Sequence, residues 1–248
     1  KSNVIYGGKW HIPVEDLDEF YYLYWKHVFF NKKEEFLTEK QQKNAGPIAI
    51  DIDLNYSREI DKRIYTNEHI DDLLQLYVNK IKDMLIFIPG KNIPIYVFER
   101  PCHSEKSPEI TKDGIHIIIG IHMARSLQII LRQRIIEEIS EIWSDIDEYI
   151  TNTTTWKLIF DEGINNGNTN WMLYGSKKPN NDKYSLTKLY EITYSNNNEN
   201  GELNLIPIPL KNFNIRNDFK KLSVQYTENP EFEMSDDIMD EYEKLENE

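Results

Sequence analysis

The sequence predicts an α+β fold, and three observations carry that prediction. Two apolar runs alternate in the manner of half-buried strands, PIAIDIDL (47–54) and GIHIIIGI (114–121). Two other stretches repeat their apolar residues at helical spacing: Ile70, Leu73, Leu74, Tyr77, Ile81 and Met84 in one, Leu131, Ile135, Ile139 and Ile142 in the other. Strand-like and helix-like segments follow one another without the regular alternation of a doubly wound sheet.

Taken in order, residues 13–30 (PVEDLDEFYYLYWKHVFF) predict a helix, with Pro13 near the first turn and acids at its positive end. Gly46-Pro47 breaks the chain before the strand 47–54. Asn67 is placed to cap the next helix, which Pro89-Gly90 closes off. Strands are expected at 93–100 and 114–121, then a helix over 126–143. WKLIFD (156–161) reads as another strand, followed by an Asn/Gly-rich turn and WMLYGS (171–176). A further strand is expected over 184–194, a loop over Ser195–Gly201, and PIPL (207–210) beyond it. There is no internal repeat.

The 248 residues suffice for a sizeable core, and 40% hydrophobic with 12% aromatic content places the chain among globular proteins. No apolar stretch is long enough to span a membrane, and no signal-peptide pattern opens the chain. The start at Lys1 fits a piece of a longer protein. A single cysteine, Cys102, excludes internal disulfides and cysteine-rich zinc sites, which favours a reducing, intracellular setting. Net charge is −13, but residues 228–248 hold ten acids against one lysine, leaving only −4 on residues 1–227. The expected division is therefore a catalytic domain over 1–227 and an acidic tail, linker or short exposed helix over 228–248.

Chemistry concentrates on the first strand. Alternation puts Ile48, Ile50, Ile52 and Leu54 on one face and Ala49, Asp51 and Asp53 on the other. Two carboxylates on one buried face repel and lose hydration unless a cation or a shared proton compensates, and hard oxygens suit Mg²⁺ or Mn²⁺. In KDGIHIIIGI, the same period puts Lys112, Gly114 and His116 on one face, and Gly114 leaves room for a close approach. Asp161 offers a third carboxylate, and Tyr174-Gly175-Ser176-Lys177-Lys178-Pro179 a hydroxyl and two ammonium groups suited to phosphates. Three acids for metal with a lysine, a histidine and a Ser/Lys loop for triphosphate form the inventory that nucleotidyl transfer requires.

The order DxD, KDGIHI, FDEGI, NWMLYGSKKP resembles the archaeo-eukaryotic primase superfamily, from about Trp10 to about Tyr194. It looks most like the primase domains of poxvirus-type primase-helicases of nucleocytoplasmic large DNA viruses, with PrimPol enzymes more distant. The resemblance implies a primase catalytic core: an N-terminal α/β unit bearing Asp51 and Asp53, packed against an RRM-like sheet bearing His116 and Asp161, with the two sheets facing across a cleft. It implies that Asp51, Asp53 and Asp161 hold two Mg²⁺ or Mn²⁺ ions, and that Lys112, His116, Ser176 and Lys178 contact the triphosphate. It further implies a single-stranded DNA template, nucleoside triphosphates, a fused or associated helicase, and work inside the cell, at viral replication sites in the host cytoplasm. Two departures stand out. Cellular PrimPols carry serine where Gly114 stands and arginines where Thr169 and Met172 align, and the cysteine/histidine zinc module of many primases is missing from these residues.

Simpler readings compete at each position. Arg58, Arg63 or Arg100 could neutralise Asp51 and Asp53 without metal; metal is the preferred reading. His122 is expected to cap or pack, Glu162 to face solvent, and Trp171 and Tyr174 to sit in the core. Arg100, Lys106, Lys183 and Lys188 read as a solvated face, and Phe20–Trp25 as helical packing rather than a stacking surface. Two other functions compete with this reading: a non-catalytic, primase-like module that binds single-stranded DNA or recruits a helicase, and a haloacid-dehalogenase-type phosphatase. The phosphatase wants a small hydroxyl residue where Asn55 stands.

Overall fold

The computed structural model describes residues 8–100, 104–105, 110–150, 155–195 and 201–247. The expectations for Cys102, Lys106 and residues 196–200 lie outside them. The chain runs through α1 (Leu17–Trp25), one π-helical turn (Lys26–Phe30), β1 (Thr38–Glu39), β2 (Ala45–Ser57), α2 (Asn67–Met84), β3 (Leu85–Ile86), β4 (Ile93–Glu99), β5 (Ser104–Glu105) and β6 (Ile110–Ala124). It continues with α3 (Arg125–Ile142), α4 (Ser144–Asp147), α5 (Trp156–Ile159), α6 (Glu162–Asn165), β7 (Trp171–Met172), β8 (Ser185–Ser195), β9 (Glu202–Ile208), α7 (Ile215–Asp218), β10 (Glu233–Met234) and α8 (Met239–Glu246). The class is α+β, as the pattern predicts.

One antiparallel sheet organises the molecule, in the order β2-β6-β4-β8-β9, with the short β5 beside β6. Its faces differ sharply. Ile48, Ile50, Ile52, Leu54, Ile115, Ile117, Ile119 and Ile121 point to one side, where α2 and α3 cover them in the main core. Each of these aliphatic side chains is essentially inaccessible, and burying one stabilises the fold by about 1.5–3 kcal/mol. The other face carries Asp51, Asp53 and His116 beside a smaller cluster built on Ala49, Tyr96, Phe98, Ile118, Trp171 and Val224. A third cluster packs Tyr21, Tyr24 and Val28 of the N-terminal helical segment against Leu173 and Phe219.

Four expectations are corrected. Residues 156–161 are not a strand: Trp156–Ile159 make one helical turn, and only Phe160 pairs with the sheet, bridging to Ile52. Arg132 explains this, because its guanidinium gathers the carbonyls of Lys157 (2.6 Å) and Phe160 (2.7 and 3.1 Å) that a short helix leaves unsatisfied. The N-cap of α2 is Thr66 rather than Asn67, with the Thr66 N–H donating to His69 Nδ1 at 2.9 Å. Asp51, Asp53 and His116 lie on adjacent strands of one sheet, not on two facing sheets. Finally, the acidic segment from 228 on is docked. β10 pairs with β3, Phe232 meets the Phe87 ring at 4.6 Å, Ile238 is buried in the main core, and Glu241 bonds Arg134 at 2.6 Å. The expected short helix is present as α8, held by apolar residues between the acids.

Candidate active site

Register places the chemistry. In the β2–β6 pairing Asp51 stands opposite His116, Asp53 opposite Gly114 and Asn55 opposite Lys112, so one sheet face collects all six. His116 Nε2 lies 3.3 Å from Asp51 Oδ1, and Lys112 Nζ lies 2.7 Å from Asp53 Oδ2. Asp51 and Asp53, two residues apart on one strand, repel each other by about 2 kcal/mol at an effective dielectric of about 20, less where Asp53 meets water. The two basic neighbours offset that repulsion. Burial alone would raise the Asp51 carboxyl; the charge of His116, aided by Lys112 and Lys178, outweighs it and holds the group below the usual carboxylate range.

The third acid comes in from outside the sheet. The Phe160 bridge brings the Asp161 N–H to the Asp51 carbonyl at 3.0 Å, and Asp161 Oδ1 caps α6 by accepting the Gly163 N–H at 2.8 Å. Arg132 thus fixes the segment that delivers Asp161 to Asp51. Among the described residues, no three His, Cys, Asp or Glu side chains are gathered closely enough to cage an ion. The donors that are present nonetheless fit Mg²⁺ or Mn²⁺. Asn55 Oδ1 is buried without a hydrogen bond and Asp51 Oδ1 has only the long 3.3 Å contact with His116, and Mg²⁺ is commonly held by one or two carboxylates with the rest supplied by phosphates and water.

Next to the acids a small, half-open cleft is lined by Phe98, His116, Trp171 through Ser176, and Tyr184. His116 is clamped between two rings: Tyr184 stacks on it with centroids 3.6 Å apart and planes 13° from parallel, and Trp171 lies at 4.8 Å. Arg100 Nε donates to the Tyr184 hydroxyl at 3.3 Å. Burial, together with the nearby charges of Asp51 and Asp53, pushes that phenol up. Lys178 is exposed, close enough for its charge to act on Asp51. Ser176 is buried, and its hydroxyl is committed to the Leu37 N–H (3.0 Å) and the Tyr24 hydroxyl (2.8 Å). Gly175, at φ +93°, lies so close to Phe29 that a Cβ would come within 2.7 Å of its ring, which explains the glycine in YGS.

Sequence reasoning missed three contributors. Tyr184 sits eight residues beyond the YGS motif, where no local pattern marks it as the partner of His116. Asp113 looks like a spacer in KDG, yet it is fully buried and bidentate with Arg63 (2.8 and 2.9 Å). Arg63 also reaches Glu99 and the Arg100 carbonyl, both at 2.9 Å, so one guanidinium ties together the strand ends that present Lys112 and Arg100. Among the described residues Arg63 therefore serves Asp113 and Glu99, not Asp51 or Asp53, as the metal-free alternative required. A lone buried-looking acid among isoleucines, with an arginine upstream, was the available signal. His122 packs as expected, its N–H on the Pro230 carbonyl at 2.9 Å. Glu162 is exposed, and Trp171 and Tyr174 belong to core clusters.

One face of the antiparallel sheet thus carries Asp51, Asp53, Lys112 and a ring-stacked His116 beside the loop that bears Lys178. The phosphatase alternative finds no footing, because Asp51 lies in the middle of an antiparallel strand rather than at the carboxyl end of a parallel one. Comparison with known proteins supplies the family. The family profile of the C962R protein N-terminal AEP domain matches residues 1–190, and the chain belongs to that archaeo-eukaryotic primase family. It is also 33% identical over 172 residues to a protein of Acanthamoeba polyphaga mimivirus named "Putative helicase L207/L206". That match covers 69% of this chain but only 17% of the mimivirus protein. Among the described residues no helix is long and apolar enough to cross a membrane.

Proposed function

We propose that this chain is a DNA primase or primase-polymerase domain, joining nucleoside triphosphates on a single-stranded DNA template with Mg²⁺ or Mn²⁺. The observation that carries the reading is the cross-strand pairing of Asp51 and Asp53 with His116 and Lys112 on one sheet face beside the cleft. Asp51, Asp53 and Asp161 would hold the metal, which when bound stabilises negative charge on the phosphates and eases deprotonation of a 3′-hydroxyl. Lys112, His116 and Lys178 would bind and orient the triphosphate, with Ser176 fixing the loop that carries Lys178. Trp171 and Tyr184 hold the His116 ring, and Arg132 holds Asp161. In this reading the domain works inside the cell, joined to a helicase, as the mimivirus relative's name and greater length suggest. A gel assay for products made de novo on single-stranded DNA, with labelled NTPs or dNTPs and each metal tested separately, checks it. The expected result is a metal-dependent ladder that Asp51→Ala and Asp53→Ala abolish while circular dichroism stays unchanged. A ladder that survives in both variants refutes the assignment.

A further inference from the structure

The aromatic run of the N-terminal helix divides between two jobs. Phe20, Tyr21 and Tyr24 face inward, the last two buried against Phe219 with ring centroids 5.7 and 5.3 Å away. Tyr22 and Phe30 face outward and form a ladder with the half-buried Trp25 between them. Tyr22 stacks beside Trp25 at 6.0 Å and 29°, and Trp25 meets Phe30 at 6.2 Å. Tyr22 and Phe30 remain 43% and 68% exposed. Core packing therefore accounts for half of the run and leaves this half unexplained.

Cations are interleaved with the ladder. The exposed Arg216 guanidinium lies over both Tyr22 (5.8 Å) and Trp25 (5.4 Å). Lys26, Lys32 and Lys33 follow in the same stretch and are exposed. Nearby acids are already engaged: Glu34 with Lys177, Glu35 with His27, Asp18 with Lys220. Glu15, Asp16 and Glu19 lie at the other end of the helix. Among the described residues none of Lys26, Lys32, Lys33 or Arg216 has a carboxylate within ion-pair reach. The inward face of the same segment packs on the loop that lines the cleft, since Phe29 stacks on Tyr174 at 5.4 Å and Tyr174 lines the cleft beside His116, and the ladder lies on the outward face of that segment.

We infer that Tyr22, Trp25 and Phe30, with Arg216 and the neighbouring lysines, are a stacking platform for single-stranded DNA on the outward face of the segment whose inward face packs on the cleft loop. The inference rests on the primase reading and adds the path of the strand to it. Exposed rings offer faces to successive bases without regard to sequence, while unpaired cations meet the phosphates. Protein interfaces also favour aromatic rings and arginine, but three exposed lysines beside the rings are what phosphates call for and what the core of a protein interface lacks.

The test is fluorescence anisotropy of a labelled oligo(dT) of about 20 nucleotides binding to the full chain, with Mn²⁺-dependent nucleotide binding measured alongside. Tyr22→Ala/Phe30→Ala is expected to weaken oligonucleotide binding about ten- to hundredfold. Nucleotide binding and the circular dichroism spectrum should not change, because both rings lie outside the core. Arg216→Gln should flatten the salt dependence, and Tyr22→Phe should stay within about twofold of wild type. The inference is overturned if the double alanine variant binds the oligonucleotide like wild type, which would leave the ladder to a protein partner. It is equally overturned if the wild type binds nucleotide with Mn²⁺ but no oligonucleotide, a result that spares the active-site reading. Oligonucleotide binding that depends on the ladder, without any metal-dependent nucleotide binding, would uphold the platform and remove the active-site reading instead.

Discussion

At Gly114 the lack of a side chain is a packing requirement. A Cβ there would lie 2.4 Å from the Tyr184 hydroxyl and 3.2 Å from the Ile52 carbonyl, so the room that the sequence suggested for a ligand is taken by Tyr184. The serine of cellular PrimPols could not stand here unless Tyr184 moved. Gly114→Ser should therefore cost about 1–3 kcal/mol of stability and loosen the His116 stack. In urea titrations, combining it with Tyr184→Ala should recover much of that loss, giving a coupling of about 1 kcal/mol or more in a double-mutant cycle. Purely additive losses would show that the two residues do not contend for the same space. Residues marked by alternation, Asp51, Asp53, Lys112 and His116, were legible because a strand's period and its neighbour's register bring them together. Tyr184, Asp113 and Arg63 were not, because their partners are distant in sequence and no local pattern encodes the pairing.

Among the elements, long ones with a strong period were readable: β2, α2, β6 and α3 appear where alternation and helical spacing put them, with ends shifted by a few residues. The misread element, 156–161, is apolar and short, and its form is decided by the Arg132 guanidinium rather than by its own pattern. Charge misled the reading at the C-terminal end, where Ile238 and Phe232 matter more than the ten acids around them. Ile238→Ala should accordingly cost about 2–5 kcal/mol in a denaturant titration, whereas a free tail would lose nothing measurable. A second element-scale test concerns β1, where Glu39 clasps the Ser223 hydroxyl and the Val224 N–H (3.2 Å). Burial raises the Glu39 carboxyl from 4.5 to about 7, against the pull of those two hydrogen bonds. An acid whose folded value lies above its unfolded value keeps its proton longer in the folded state. Stability should therefore be greatest at and below about pH 4.5 as far as this group is concerned, and fall as pH rises to about 7. The loss is on the order of 1–2 kcal/mol, discounted for partial exposure. Glu39→Gln should remove this slope; an unchanged slope would show that other groups produce it.

Over the whole molecule, one sheet separates two tasks. The isoleucine-rich face, sealed by α2 and α3, supplies stability, and the opposite face spends some of it to keep two carboxylates, a histidine and a lysine together beside a cleft. This division was visible in the sequence as IDID and GIHIIIG, while the single sheet that unites the two segments was not, since register between distant strands leaves no local trace. Charge was less informative at this scale. The net −13 argues against a nucleic-acid partner, yet among the described residues Lys26, Lys32, Lys33 and Arg216 stand around the N-terminal ladder with no carboxylate in ion-pair reach. The central claim is that the Asp51/Asp53 face binds a divalent cation together with a nucleoside triphosphate. Isothermal titration calorimetry with nucleotide, in the presence and absence of Mn²⁺, tests it most directly. The wild type should bind nucleotide only when Mn²⁺ is present, and Asp51→Asn/Asp53→Asn should abolish that heat while keeping the fold. Nucleotide binding that ignores Mn²⁺, or that survives unchanged in the double variant, would contradict the account.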